Sequence, residues 1–179
     1  PNINNKPDLP ARLEFQLVSS QMPNSAVKFY ADNYESFTKD ILTWESFGKT
    51  LDQGAFASPA IKELRADSVS DLASAIYHWI QNHFSFTNEY GVTNNKAGKI
   101  AFNEGSGNVP AINLTLIAAL REAGINAYPI ILSTRGHGIP HPVYPNYEDF
   151  NYVIVGVKTE AGLILADATT KLSFGTIPE

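Results

Sequence analysis

The chain has 179 residues, of which 44% are hydrophobic and 17% charged, with a net charge of −5 and no cysteine. That length most simply makes one domain with a real core. Dispersed Lys and Arg argue against nucleic-acid binding, no apolar run approaches the roughly 20 residues of a membrane helix, and the missing cysteines exclude disulfides, thiolate metal sites and thiol chemistry.

Residues 1–10 hold three prolines and three asparagines and read as linker. Arg12-Leu-Glu-Phe-Gln-Leu-Val18 alternates like a strand, with Leu13, Phe15 and Leu17 on one side. Residues 1–20 are therefore expected to be a linker or the end of a preceding domain, and residues 21–179 one domain. The first residue is Pro1 and not Met, so a longer parent chain is expected. Thr43 is positioned to cap a helix running to about Asp52, with Trp44, Phe47 and Leu51 on one face. Ser58-Pro59 opens a short helix to about Arg65. Ser70 is expected to cap a helix to about Asn82, with Leu72, Ile76, Trp79, Ile80 and His83 on one stripe. His83 then reads as a core or boundary histidine and His78 as solvated. Residues 87–107 are rich in Asn, Gly and Lys and read mainly as loop.

A helix is expected from Asn108 to Gly124. Asn108 can cap it and Pro110 fits its first turn. Gly124 supplies a left-handed stop, with Arg121 near the negative end of the dipole. A cysteine at the start of such a helix would be acidified. The residue there is Val109. Ser106, in Gly-Ser-Gly, lacks the spacing of a nucleophile elbow, and Gly105 and Gly107 lead into no phosphate loop. Asn113-Leu-Thr115 matches a glycosylation triplet but lies inside the helix.

Three strands follow, at about 126–133, 150–158 and 162–166, the last two joined by a tight turn at Glu160-Ala-Gly162. The connection from Thr134 to Asp149 carries three prolines and two histidines, and a loop of this length is often functional. His137 and His141 are spaced i, i+4, but Pro140 and two glycines forbid the helix that a zinc motif of that spacing needs, so no metal and no cofactor are expected.

The order of these pieces resembles the transglutaminase-like superfamily, whose members share a papain-like Cys, His and Asp. The family's nucleophile helix is matched by Gly107-Asn108-Val109 and Leu120-Arg121-Glu122-Ala123-Gly124-Ile125. Its strands are matched by Ala127–Ser133, Phe150–Val157 and Leu163-Ile-Leu-Ala-Asp-Ala-Thr169. Ala75-Ile-Tyr-His-Trp-Ile80 and Phe84-Ser-Phe86 resemble the elements before the nucleophile, so the likeness runs from about Thr43 to Thr169. It places Val109 for Cys, Tyr152 for His and Asp167 for Asp, with Phe150 and Asn151 the other candidates for the His position. Only the aspartate survives.

The fold expected is α+β, a helical N-terminal half packed on a small antiparallel sheet, with a transglutaminase-like core. The resemblance implies a catalytically inactive domain of a larger bacterial envelope protein, extracytoplasmic, flanked by β-sandwich domains, and serving as a binding or scaffold module. Two rivals stand beside it. One is a hydrolase of amide bonds reusing Asp167 with His137 or His141; the other is a spacer with a filled cleft. Asp167 is expected to hydrogen bond Tyr152 or a backbone amide. For a peptide or glycan the candidates are Tyr90, Asn108, Asn113, Tyr128, His137, His141, Tyr144, Tyr147 and Asn151. Tyr144 and Tyr147, in the long loop, lead that set.

Overall fold

The computed structural model describes residues 19–25, 28–29, 33–64, 66–160 and 162–177. The expected strand at Arg12–Val18 and the Pro/Asn-rich start lie outside these residues, as do Arg65 and Ala161. Two short strands, β1 (Ser19–Ser20) and β2 (Lys28–Phe29), pair antiparallel. The helices are α1 (Tyr34–Ile41), α2 (Ser58–Glu63), α3 (Val69–His83), α4 (Lys99–Glu104) and α5 (Val109–Glu122). Strands β3 (Ser85–Phe86) and β4 (Ser106–Gly107) form a parallel pair. Strands β5 (Ala127–Leu132), β6 (Tyr152–Thr159) and β7 (Gly162–Ala166) form an antiparallel sheet in that order. Leu132 stands opposite Tyr152, and Val155 opposite Ala166. The architecture is α+β.

Helix α5 is the axle. Every residue from Val109 to Leu120 is buried, so the helix is covered on all sides. Helices α3 and α4, the sheet and two 3₁₀ turns (Gly48–Asp52 and Gly54–Ala57) pack around it. The second turn comes so close that a Cβ at Gly54 would overlap the Ala118 carbonyl oxygen, an approach only glycine permits. Asn108 caps α5 as expected, its Oδ1 accepting from the Ala111 N–H at 3.1 Å.

Several expectations about elements need correction. Thr43 caps no helix. Its hydroxyl donates back to the Asp40 carbonyl at 2.7 Å and closes α1, and the chain then turns into the 3₁₀ segment Gly48–Asp52. A Cβ at Gly48 would overlap the Leu42 carbonyl, so the chain doubles back where a regular helix was expected. Helix α1 itself was not anticipated. It is started by a capping box of Asn33 and Ser36 and anchored only by Phe37 and Ile41, too few apolar residues to show a period. Helix α3 is capped by Ser68, not Ser70, and its buried face is Ala73, Ile76, Tyr77, Ile80 and Gln81. Leu72 and Trp79 flank that face half-buried. His83 is exposed, stacked on Phe102 at 3.9 Å between ring centroids, and His78 is exposed as expected. Helix α4 occupies part of the expected loop, bounded by Gly98 and Gly105 at positive φ. Among the described residues no helix is long and apolar enough to cross a membrane.

Candidate functional site

The start of α5, the start of β6 and the end of β7 meet at one place. Val109 and Asp167 there have no exposed surface, and Tyr152 retains 9%. The Val109 N–H is taken by the Glu89 carbonyl at 3.1 Å, and Pro110 has none to offer. The Asn108 carboxamide oxygen that caps the helix also accepts from Asn94 Nδ2 at 2.7 Å. The N-terminus that would polarise a nucleophile is thus occupied by protein groups.

Asp167 is the centre of a buried polar network. Its Oδ2 accepts from the Tyr152 hydroxyl at 2.7 Å. Its Oδ1 accepts from Asn113 Nδ2 at 2.9 Å, from the Thr169 N–H at 3.0 Å and from the Thr169 hydroxyl at 2.7 Å. Four donors compensate a carboxylate removed from water. Asn113 has no group to spare. Its Nδ2 also donates to the Val153 carbonyl at 2.9 Å, and its Oδ1 accepts from the Ala168 N–H at 3.0 Å. One side chain on α5 therefore ties the helix to both β6 and the end of β7. Tyr152 and Thr169 are also 3.0 Å apart, so two hydroxyl protons serve three contacts.

A second network adjoins the first and was not anticipated. The Tyr77 hydroxyl lies 3.0 Å from the Asp167 carbonyl and 3.0 Å from that of Leu172. Gln81 Nε2 reaches the Tyr77 oxygen at 3.0 Å and the Leu172 carbonyl at 2.8 Å. Tyr77 and Gln81 are one turn apart on the buried face of α3, and that spacing among apolar residues was the available signal.

Burial first, then the charge of Asp167, pushes the Tyr77 hydroxyl up to about 12, against the opposing bond from Gln81. Burial also raises Tyr152 well above the ordinary phenol range. The Thr169 bond opposes that shift and Asp167 reinforces it. Tyr152 is consequently a protonated donor to Asp167 at neutral pH and no base. Both groups bind their protons more tightly folded than unfolded. Stability from them is whole below the ordinary phenol value of 10.0 and declines as pH climbs through it toward the raised values. The thermal midpoint is expected to fall above about pH 10, and to fall less steeply in Tyr152→Phe. A flat midpoint through that range, read by circular dichroism, would contradict the burial of these hydroxyls.

The loop residues are committed elsewhere. His137 Nε2 contacts the Glu148 carbonyl at 2.7 Å. His141 Nδ1 accepts from the Tyr144 N–H at 2.9 Å and the Val143 N–H at 3.2 Å, and its ring stacks on Tyr144. Asn151 is paired with Thr134 through both its oxygen and its nitrogen, each at 2.9 Å. Tyr147 is half-buried, stacked on Phe37 and tilted against Trp44, and its hydroxyl donates to Asp40 Oδ2 at 2.6 Å. Burial and the Asp40 carboxylate hold that hydroxyl above the usual phenol range. Tyr147 is thus the pin that fastens the loop to α1. Tyr90 and Tyr144 are exposed, and Tyr90 sets its ring edge-to-face on Tyr152 at 5.2 Å. Tyr128 lines a separate depression beside β5. The structure therefore brings together Asn113, Tyr152 and Asp167, with Tyr90 against Tyr152 and Val109 one turn before Asn113 on α5. No histidine hydrogen bonds Asp167 among the described residues.

The chain matches no family model and no curated protein. Among solved structures, its fold is similar to that of a candidate protease from Parabacteroides distasonis ATCC 8503, at a TM-score of 0.52 and 14% identity. The likeness covers 73% of this chain and spans only 30% of the length of that one.

Proposed function

We propose that this chain is a non-catalytic module of the transglutaminase-like type, in which the catalytic frame is kept as architecture and the chain serves as a scaffold or binding unit. The observation that carries it is the buried contact of Tyr152 with Asp167, beside a hydrocarbon at Val109. Acyl transfer of the papain kind needs a nucleophile, a base within reach, and access for substrate. Here the helix start presents an alkyl group, the group facing the aspartate holds its proton, and all three positions are sealed. The likeness to a candidate protease agrees with such an origin in fold alone. A place outside the cytoplasm, beside β-sandwich domains of a larger bacterial envelope protein, belongs to the same proposal.

The hydrolase alternative needs a histidine on Asp167, and His137 and His141 are engaged with loop backbone instead. The filled site favours the spacer alternative for this cleft, and leaves other surfaces to any partner. The purified chain is expected to show neither amide hydrolysis nor Gln–Lys cross-linking above buffer. Activity in the wild type that is lost in Asp167→Asn, with the variant still folded by circular dichroism, would overturn the proposal.

A further inference from the structure

Strand β5 is an edge of the sheet, since β6 pairs with it on one side only among the described residues. The direction of its backbone groups can be assigned. The Lys158 N–H donates to the Asn126 carbonyl and the Asn151 N–H to that of Leu132, so even-numbered residues bond toward β6. Residues 127, 129 and 131 therefore aim their main-chain groups outward. Two features agree. The Ala127 carbonyl is met from outside by Arg121 Nε at 2.8 Å, and position 129 is a proline, which edges tolerate on the outward side. What is left open among the described residues is two donors and two acceptors, the N–H groups of Ala127 and Ile131 and the carbonyls of Pro129 and Ile131.

Beside that edge lies a depression of about 250 Å³, lined by Tyr128, Pro129 and Ile131 of β5, by Phe37 and Ile41 of α1 with Leu42 just after it, and by Arg121. Its walls are mostly apolar, and among the described residues that line it Arg121 is the one charged group. The guanidinium is held at Nε by Ala127 and at Nη1 by Asp52 at 3.0 Å, so it is fixed in place, with no partner at Nη2 among the described residues. An exposed aspartate neutralises it only weakly, Asp52 being 81% exposed. A strand laid antiparallel to β5 would exchange both bonds with Ile131 and donate the next to Pro129. Its carboxyl end would then lie by Ala127 and Arg121. Main-chain bonds and an apolar pocket are the parts of strand-addition recognition, and an oriented cation adds a partner for a carboxylate.

We propose that this edge binds the extended C-terminal peptide of a partner protein as a fourth strand, with an apolar side chain in the depression and the terminal carboxylate on Arg121. The site shares no residue with the Val109–Asp167 cluster and stands whether or not that cluster is catalytically silent.

The probe is a fluorescein-labelled hexapeptide alternating threonine and leucine, ending in phenylalanine with a free carboxylate. Two readouts are taken, fluorescence anisotropy and amide hydrogen exchange of the intact chain. Saturable binding is expected, with exchange at the Ile131 amide slowed about tenfold or more at saturation. Amidating the peptide terminus is expected to weaken binding about tenfold, the loss of one charge-assisted contact. N-methylating the peptide amides that face β5 should abolish binding, whereas N-methylating those of the other parity should spare it. Leu42→Trp, a half-exposed position at the end of α1, fills the depression and should weaken binding about tenfold without unfolding the chain. Saturable binding that leaves Ile131 exchange unchanged, or that ignores the parity of N-methylation, overturns the proposal, as does no binding. It also falls if Ile131 is already protected in the free chain and loses protection on deleting residues 1–18, which would make this chain's own segment the occupant.

Discussion

Asp167→Ala is expected to cost about 3–5 kcal/mol of stability, among the largest effects any single polar substitution can have here. The wild-type carboxylate has no exposed surface and takes four donors. Alanine removes the acceptor and leaves the donors in place. The Tyr152 and Thr169 hydroxyls can turn to one another across their 3.0 Å contact, and Asn113 keeps the Val153 carbonyl. The Thr169 N–H and one Asn113 proton are then orphaned in the interior, each costing about 1–3 kcal/mol, and a small void is added. For a chain of this size the midpoint should fall by roughly 8–15 °C. Asp167→Asn separates shape from charge. Its oxygen can still accept at the Oδ1 position, and its nitrogen can donate to the Tyr152 oxygen, so a loss of about 1–2 kcal/mol is expected. Thermal denaturation of both variants decides the matter. Equal, small losses would mean that the network is solvated and contributes little.

How far the site could be read in advance depends on which kind of signal each part leaves. Helix α5 was legible from end to end because Asn108, Pro110 and Gly124 mark its limits by local chemistry. The sheet was legible because each strand is a short apolar run, and β7 begins and ends where the pattern places it. The contact of Asp167 with Tyr152 was expected only through the family resemblance, which pairs those two positions, or with a backbone amide in its place. Asn113 is the instructive case. In sequence it is a polar residue in an apolar helix, placed among the ligand-contact candidates, its glycosylation triplet set aside because it lies inside the helix. Only the convergence of β6 and β7 on it shows that its amide is consumed inside the protein. Tyr147 is similar. Its loop position suggested a free aromatic, whereas the unanticipated α1 provides Phe37 and Asp40 to hold it. Misplaced expectations of this kind share a cause. Long-range packing decides whether a polar side chain faces water or a partner, and no local pattern encodes the partner.

Val109→Cys turns that packing into a direct measurement. The chain contains no cysteine, so the new thiol would be the one thiol in the protein. The side chains are close in volume, so the fold should be kept. At the start of α5 a thiol would gain from the helix dipole if it met solvent and a base. Here it would sit where Val109 has no exposed surface, with the backbone N–H already bound to Glu89 and a protonated Tyr152 in the same core. Apolar surroundings raise a thiol's pKa and deny reagents a path. Reaction with a disulfide reagent should therefore wait on local opening and run at least about 100-fold slower than in the urea-unfolded chain. Pairing the change with Tyr152→His tests the two deficits apart. If the double variant remains slow, burial is the governing barrier. If it reacts quickly while the single variant does not, the missing base governs, and the cleft opens more readily than its packing indicates. Fast reaction of Val109→Cys alone would sink the closed-cleft account altogether and return Asp167 to the list of groups a substrate can reach.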